Sequence, residues 1–152
     1  MWRVERNPAR YQAMLRWSHQ YGPISNATRL AEVMAPISDR EDQENAWMVM
    51  LDTHGFLRGI DLIARGGRSS VAVPLDDALR AAIGAGSRYT ALIHNHPSGN
   101  PTPSDADVGL TGELAGACDE VRLLLLDHVI MGAGQFYSFR EGTQWRTSLL
   151  TP

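Results

Sequence analysis

The chain has no lysine: all 14 of its basic residues are arginine. Lysine is ordinarily among the commonest residues, and a bias of composition is the plain reading of its absence. Cysteine is nearly missing too. A lone Cys118 excludes an internal disulfide and suits a reducing cytoplasm. No apolar stretch comes near the roughly 18 residues needed to cross a bilayer, which excludes a membrane-spanning helix. The first residues, MWRVERNPARYQ, lack the apolar core of a signal peptide, so the expected compartment is the cytoplasm. Repeats, low-complexity runs and linkers are also absent.

What is present fits a soluble globular protein. At 152 residues, with 43% hydrophobic and 20% charged side chains, the chain is long enough to bury roughly two thirds of its unfolded surface and to hold a fixed site without staples. One domain spanning 1–152 is expected, with 1–40 as a helical extension at its N-terminus. A formal charge of -3 gives no general attraction to nucleic acid.

Residues 8–20 place Tyr11, Met14, Leu15 and Trp17 near helical spacing, and Ser25 or Asn26 opens a second helix through Val33. Ala46 to Leu51 is a continuous apolar run. Asp52 to Gly55 supplies turn residues before Phe56 to Ile63, which together read as a hairpin. Val71 to Val73 is a candidate short strand. Pro74 begins a helix with Asp76 and Asp77 in its favourable first turn and Gly84 and Gly86 near its end. Tyr89 to Ile93 reads as a buried strand. Ser104 is a good N-cap for a helix whose Val108, Thr111, Leu114, Ala115 and Cys118 recur on one face. VRLLLLDHVIM, residues 121–131, is too apolar for a surface strand and is expected near the centre of the sheet. FYSF, residues 136–139, would close it. The order predicts an α/β fold, a mixed β-sheet flanked by helices.

One segment concentrates chemistry. HNHPSGNPTPSDAD, residues 94–107, leaves the buried strand, bends through three prolines and enters a helix. In an extended His-x-His, alternate side chains point the same way, so His94 and His96 can present imidazoles to one point. Asp107, three residues past the Ser104 cap, lies in the first helical turn. Two imidazoles and one carboxylate leave a fourth tetrahedral position for water, as expected of catalytic zinc. Each part alone has a plain reading: solvated histidines, a cap at Ser104, a dipole-favoured acid at Asp107. Their joint spacing is what favours a metal.

That joint pattern resembles the JAMM motif of the MPN-domain (JAB) metalloproteases: His-x-His-Pro, six residues, Ser, two residues, Asp. His94, His96, Pro97, Ser104 and Asp107 match each specified position. HNHPSG at 94–99 and DHVIMG at 127–132 are most similar to the bacterial RadC-like branch. The resemblance implies an MPN/JAB-like (cytidine-deaminase-like) fold and one zinc ion per chain on His94, His96 and Asp107. It also implies a glutamate at the start of the strand before a Leu-Asp turn. ENAWMVMLDT puts Glu44 there, with Glu41 as the nearest competitor.

The implied chemistry is amide hydrolysis. Zinc lowers the pKa of water toward neutrality and polarises a carbonyl; Glu44 shuttles the proton, and Ser104 donates to the developing oxyanion. The implied substrate is the isopeptide or amide bond at the C-terminus of a ubiquitin-like protein, as in deubiquitinases, with conjugation enzymes as associated partners in a bacterial conjugation or antiviral-defence system. A lysine-free protein beside a conjugating enzyme offers it no side-chain amine. The alternative is a RadC-like accessory protein linked to DNA repair or mobile elements, or a non-catalytic scaffold. About 40 residues before Glu44 are too few for the helix-hairpin-helix region of full-length RadC-like proteins, which weakens the nucleic-acid reading. Residues 60–75 and those beyond 115 look short beside the insertions that hold ubiquitin in eukaryotic relatives.

Other polar residues read as structural. Asp105 falls outside the ligand spacing, Asp127 and His128 read as a satisfied polar pair at a strand end ahead of the alternative that they assist the site, and Cys118 is buried by its helix pattern rather than serving as a thiol nucleophile with His128. His19 and His54 have no partner pattern, and the Asn26-Ala27-Thr28 sequon is idle in a cytoplasmic chain.

Overall fold

The computed structural model describes residues 22–66 and 72–146. The helix expected at 8–20, His19, Val71 and most of the 1–40 extension lie outside these residues. The elements in chain order are α1 (Ala27–Ser38), β1 (Asn45–Leu51), β2 (Leu57–Arg65), α2 (Leu75–Gly84), β3 (Tyr89–Asn95), α3 (Asp105–Glu120), β4 (Leu124–Gly132), β5 (Gln135–Ser138) and β6 (Thr143–Arg146).

The six strands form one mixed sheet in the order β2-β1-β3-β4-β5-β6. β1 runs antiparallel to β2 and β3, whereas β3 and β4 are parallel and joined by the α3 crossover. Side chains alternate across β1, so the strand feeds two cores. Trp47, Val49 and Leu51 pack with Leu30, Met34 and Ile37 of α1 on one face. Ala46, Met48 and Met50 pack on the other face with Ala78 and Ala82 of α2 and with Leu114 and Cys118 of α3. Fully burying an aliphatic side chain such as Leu30 or Leu114 contributes about 1.5–3 kcal/mol. The expected α/β sheet with helices on both faces is the observed architecture.

Several expectations change in detail. α1 runs past Val33 and through Pro36 to Ser38. A proline forfeits one helical N–H, yet Asp39 N–H still reaches the Ala35 carbonyl at 3.0 Å, and Ile37 and Ser38 are buried. Ala72 and Val73 form no strand; they lead directly into α2. On α3 the buried face is Asp107, Leu114 and Cys118, while Val108 points outward at 55% exposure. The 121–131 strand begins only at Leu124, because Val121 caps α3 and Arg122 takes a left-handed φ of 61°. β5 does not close the sheet: β6 pairs outside it.

Candidate metal centre

The site lies where β3 and β4 end and α3 begins, the usual place for ligands in a parallel crossover. β3 carries Leu92 and His94 on the α3 face, and His96 N–H extends the ladder one step by donating to Met131 O at 2.8 Å. The chain then folds back: Gly99, at φ 88°, donates its N–H to His96 O at 3.0 Å. This backbone region favours glycine. Ser104 caps α3 in a reciprocal box, its Oγ accepting from Asp107 N–H at 3.1 Å while Asp107 Oδ2 accepts from Ser104 N–H at 2.8 Å. The box that starts the helix also aims the Asp107 carboxylate.

Four side chains converge as a result. Donor atoms of Glu44, His94, His96 and Asp107 all lie within 4.8 Å of one another. His94 Nε2 is 3.0 Å from His96 Nε2 and 3.2 Å from Asp107 Oδ1, and His96 Nε2 is 3.3 Å from Asp107 Oδ2. Glu44 Oε1 stands 3.6 Å from His94 Nε2 and 3.5 Å from His96 Nε2. Glu41, the competitor, instead lies 3.9 Å from Arg65. Asp105 is exposed in the first turn of α3 and His54 sits in the exposed β1–β2 turn, both apart from the cluster.

The donor set fits a divalent ion. His96 Nδ1 is 2.9 Å from the Asn100 carbonyl, which can only accept, so Nδ1 carries the hydrogen and a neutral ring turns the Nε2 lone pair inward. Zinc–nitrogen bonds of about 2.0–2.1 Å set tetrahedral edges near 3.3 Å; the two Nε2 atoms stand 3.0 Å apart, and each lies 3.2–3.3 Å from a different oxygen of Asp107. Burial lifts the Glu44 carboxyl above its usual range, with the two imidazoles pulling it back and Asp107 pushing it up. Against its own desolvation, Asp107 is held well below the carboxylate range by His94, His96 and the Ser104 N–H.

Asn95 escaped the sequence reading, and Thr111 and His128 take contacts that it did not foresee. Asn95 Oδ1 accepts from Asn45 N–H at 2.8 Å and its Nδ2 donates to Gln43 O at 2.9 Å, so one amide grips the backbone on both sides of Glu44. The expected Asp127–His128 pair is split between the faces of the sheet. Asp127 accepts from the N–H groups of His128 and Arg140 and from Ser138 Oγ. The His128 ring lies 2.7 Å from His94 Nδ1 and 2.6 Å from Thr111 Oγ1, stacked on Phe139. Burial, then the neighbouring His94, pushes its pKa down to about 3. Cys118 is buried, as expected, and burial raises its thiol.

Comparison with known proteins agrees with this geometry. Residues 24–145 match the family model described as RadC-like JAB domain. The chain belongs to that family. RadC-like JAB relatives include a UPF0758 protein of Chloroflexus aggregans, 32% identical over 119 residues, covering 78% of this chain and 52% of the relative. A UPF0758 protein of Carboxydothermus hydrogenoformans is 36% identical over 98 residues, covering 64% and 43%. Another, from Streptococcus agalactiae, is 34% identical over 119 residues, covering 78% and 52%. The chain thus spans about half the length of the relatives it matches. Among the described residues no helix is long and apolar enough to cross a membrane.

Proposed function

We propose that this RadC-like JAB domain is a zinc-dependent metallopeptidase that hydrolyses an amide or isopeptide bond at the C-terminus of a ubiquitin-like protein. The observation that carries the reading is the convergence of Glu44, His94, His96 and Asp107 within 4.8 Å. The substrate class follows from the resemblance of residues 94–107 to the motif of metalloproteases that act on such proteins. The lysine-free composition fits work beside conjugating enzymes in a bacterial conjugation or defence system.

In this reading His94, His96 and Asp107 hold the ion. Once bound, zinc supplies a Lewis acid and a water of lowered pKa. Glu44 accepts a proton from the attacking water as the carbon–oxygen bond forms. It delivers that proton to the nitrogen as the carbon–nitrogen bond breaks, which yields a carboxylic acid and a free amine. The raised Glu44 carboxyl suits a group that must both take and return a proton. Ser104 Oγ accepts from Asp107 N–H, and its hydroxyl proton serves the carbonyl oxygen as charge develops there.

The test fuses candidate ubiquitin-like proteins, each through its C-terminal carboxyl, to a reporter amine. Cleavage at that bond, stopped by a chelator and restored by zinc, is the expected result. Cleavage untouched by chelation removes the mechanism, and tight salt-sensitive binding to duplex DNA without any cleavage would favour a nucleic-acid role instead.

A further inference from the structure

We propose that His128 and Thr111 are positioning residues that lock His94 in its Nδ1-protonated form and tie it to the backbone of Asp107. The inference rests on the metal part of the reading above and not on the identity of the substrate. It begins from a chain of short contacts: His94 Nδ1 to His128 Nε2 at 2.7 Å, His128 Nδ1 to Thr111 Oγ1 at 2.6 Å, and Thr111 Oγ1 to Asp107 O at 2.8 Å.

The hydrogens in this chain have one consistent order. The Asp107 carbonyl can only accept, so the single Thr111 hydroxyl proton points to it. Thr111 Oγ1 must then accept from His128 Nδ1–H. A neutral His128 has no second hydrogen, so its Nε2 is an acceptor and His94 Nδ1 is the donor. A neutral His94 consequently turns a bare Nε2 toward Glu44, His96 and Asp107. His128 is 1% exposed, and its ring sits between the His94 ring, with centroids 4.8 Å apart, and the stacked Phe139 ring at 4.7 Å. Such burial favours the neutral ring.

The same order is imposed independently on the other imidazole, because the Asn100 carbonyl sets His96. Two backbone carbonyls, at Asn100 and Asp107, thus decide which nitrogen of each histidine is bare. The second chain also joins three elements: His94 from β3, His128 from β4, and Thr111 with Asp107 from α3. A shift of α3 against the sheet would therefore disturb two of the converging side chains together. Partners of this kind typically change metal affinity 10–100-fold when removed.

Two measurements test the proposal. In metal-free protein, long-range proton–nitrogen NMR of the histidine rings should show a proton on Nδ1 of both His94 and His128 and none on His128 Nε2. Zinc affinity, read by competition with a chromogenic chelator, should fall 10–100-fold in Thr111→Val and stay near wild type in Thr111→Ser, which keeps the hydroxyl. His128→Phe should fall at least as far. A His94 ring without a proton at Nδ1, or unchanged zinc affinity in Thr111→Val, overturns the proposal. Failure of the metal reading looks different: the NMR pattern holds, but wild-type protein takes up no zinc.

Discussion

Glu44 and His96 face each other across the β1–β3 ladder, with Oε1 and Nε2 3.5 Å apart. Ala46 is the registered partner of His94 in that antiparallel pair; carried two residues further, the register sets position 44 opposite position 96. The glutamate is therefore placed by strand pairing rather than by closeness in sequence. A one-residue slip would turn it to the other face.

Glu44→Gln should abolish amide hydrolysis by about 10²–10⁴-fold, the usual contribution of a positioned acid–base group. Zinc content, measured by elemental analysis of the purified variant, should be unchanged. Loss of zinc along with activity would make Glu44 a ligand and not a proton carrier.

Asn95→Ala should lower stability by about 1–3 kcal/mol, because Asn45 N–H loses a buried partner and Gln43 O loses its donor. Urea unfolding reads that loss directly. Since the amide grips the chain on both sides of Glu44, kcat should fall while zinc affinity holds.

Gly132→Ala should weaken zinc binding. An added Cβ there would stand 2.6 Å from Gly99 O and 2.9 Å from Gly99 C, so the loop following His96 must shift. Gly109→Ala is the control: it meets nothing within 4 Å on α3, and replacing a helical glycine should raise stability by up to about 1 kcal/mol. Equal zinc affinity in both variants would show that the loop tolerates the shift.

Acid should weaken the β1–β2 turn. Against a desolvation cost, the N–H groups of Phe56 and His54 hold Asp52 below its usual pKa, at 3.0 and 2.8 Å. A depressed folded-state pKa adds stability that is present above the unfolded value and lost as pH falls through the folded one. Urea midpoints should therefore drop on acidification below about pH 4, and less steeply in Asp52→Asn, whose amide oxygen accepts the same N–H groups at any pH.

Much of the fold could be read from local pattern. The run from Ala46 to Leu51 followed by Asp-Thr-His-Gly announced a hairpin, and Ser104 with Asp107 announced a helix start. The spacing of His94, His96 and Asp107 anticipated their convergence, because alternation in a strand and one helical turn are local geometry. Glu44 needed a resemblance, since its placement depends on pairing with a distant strand. The roles of Asn95, Thr111 and His128 were not legible for the same reason: their contacts arise where β1, β3, β4 and α3 cross. β6 was missed because four residues paired only with the short β5 carry too little pattern.

Because the converging donors span positions 44 to 107, no early fragment of the chain owns the whole set. An unfolded polypeptide offers an ion little beyond the adjacent pair at 94 and 96, so cation capture and folding become one linked equilibrium. Free zinc at 100 times its dissociation constant would add about 2.7 kcal/mol to the folded state, visible as a higher melting temperature that a chelator reverses. In a cell, scarcity of that ion would shorten the lifetime of the protein itself, and abundance would shield it from proteolysis.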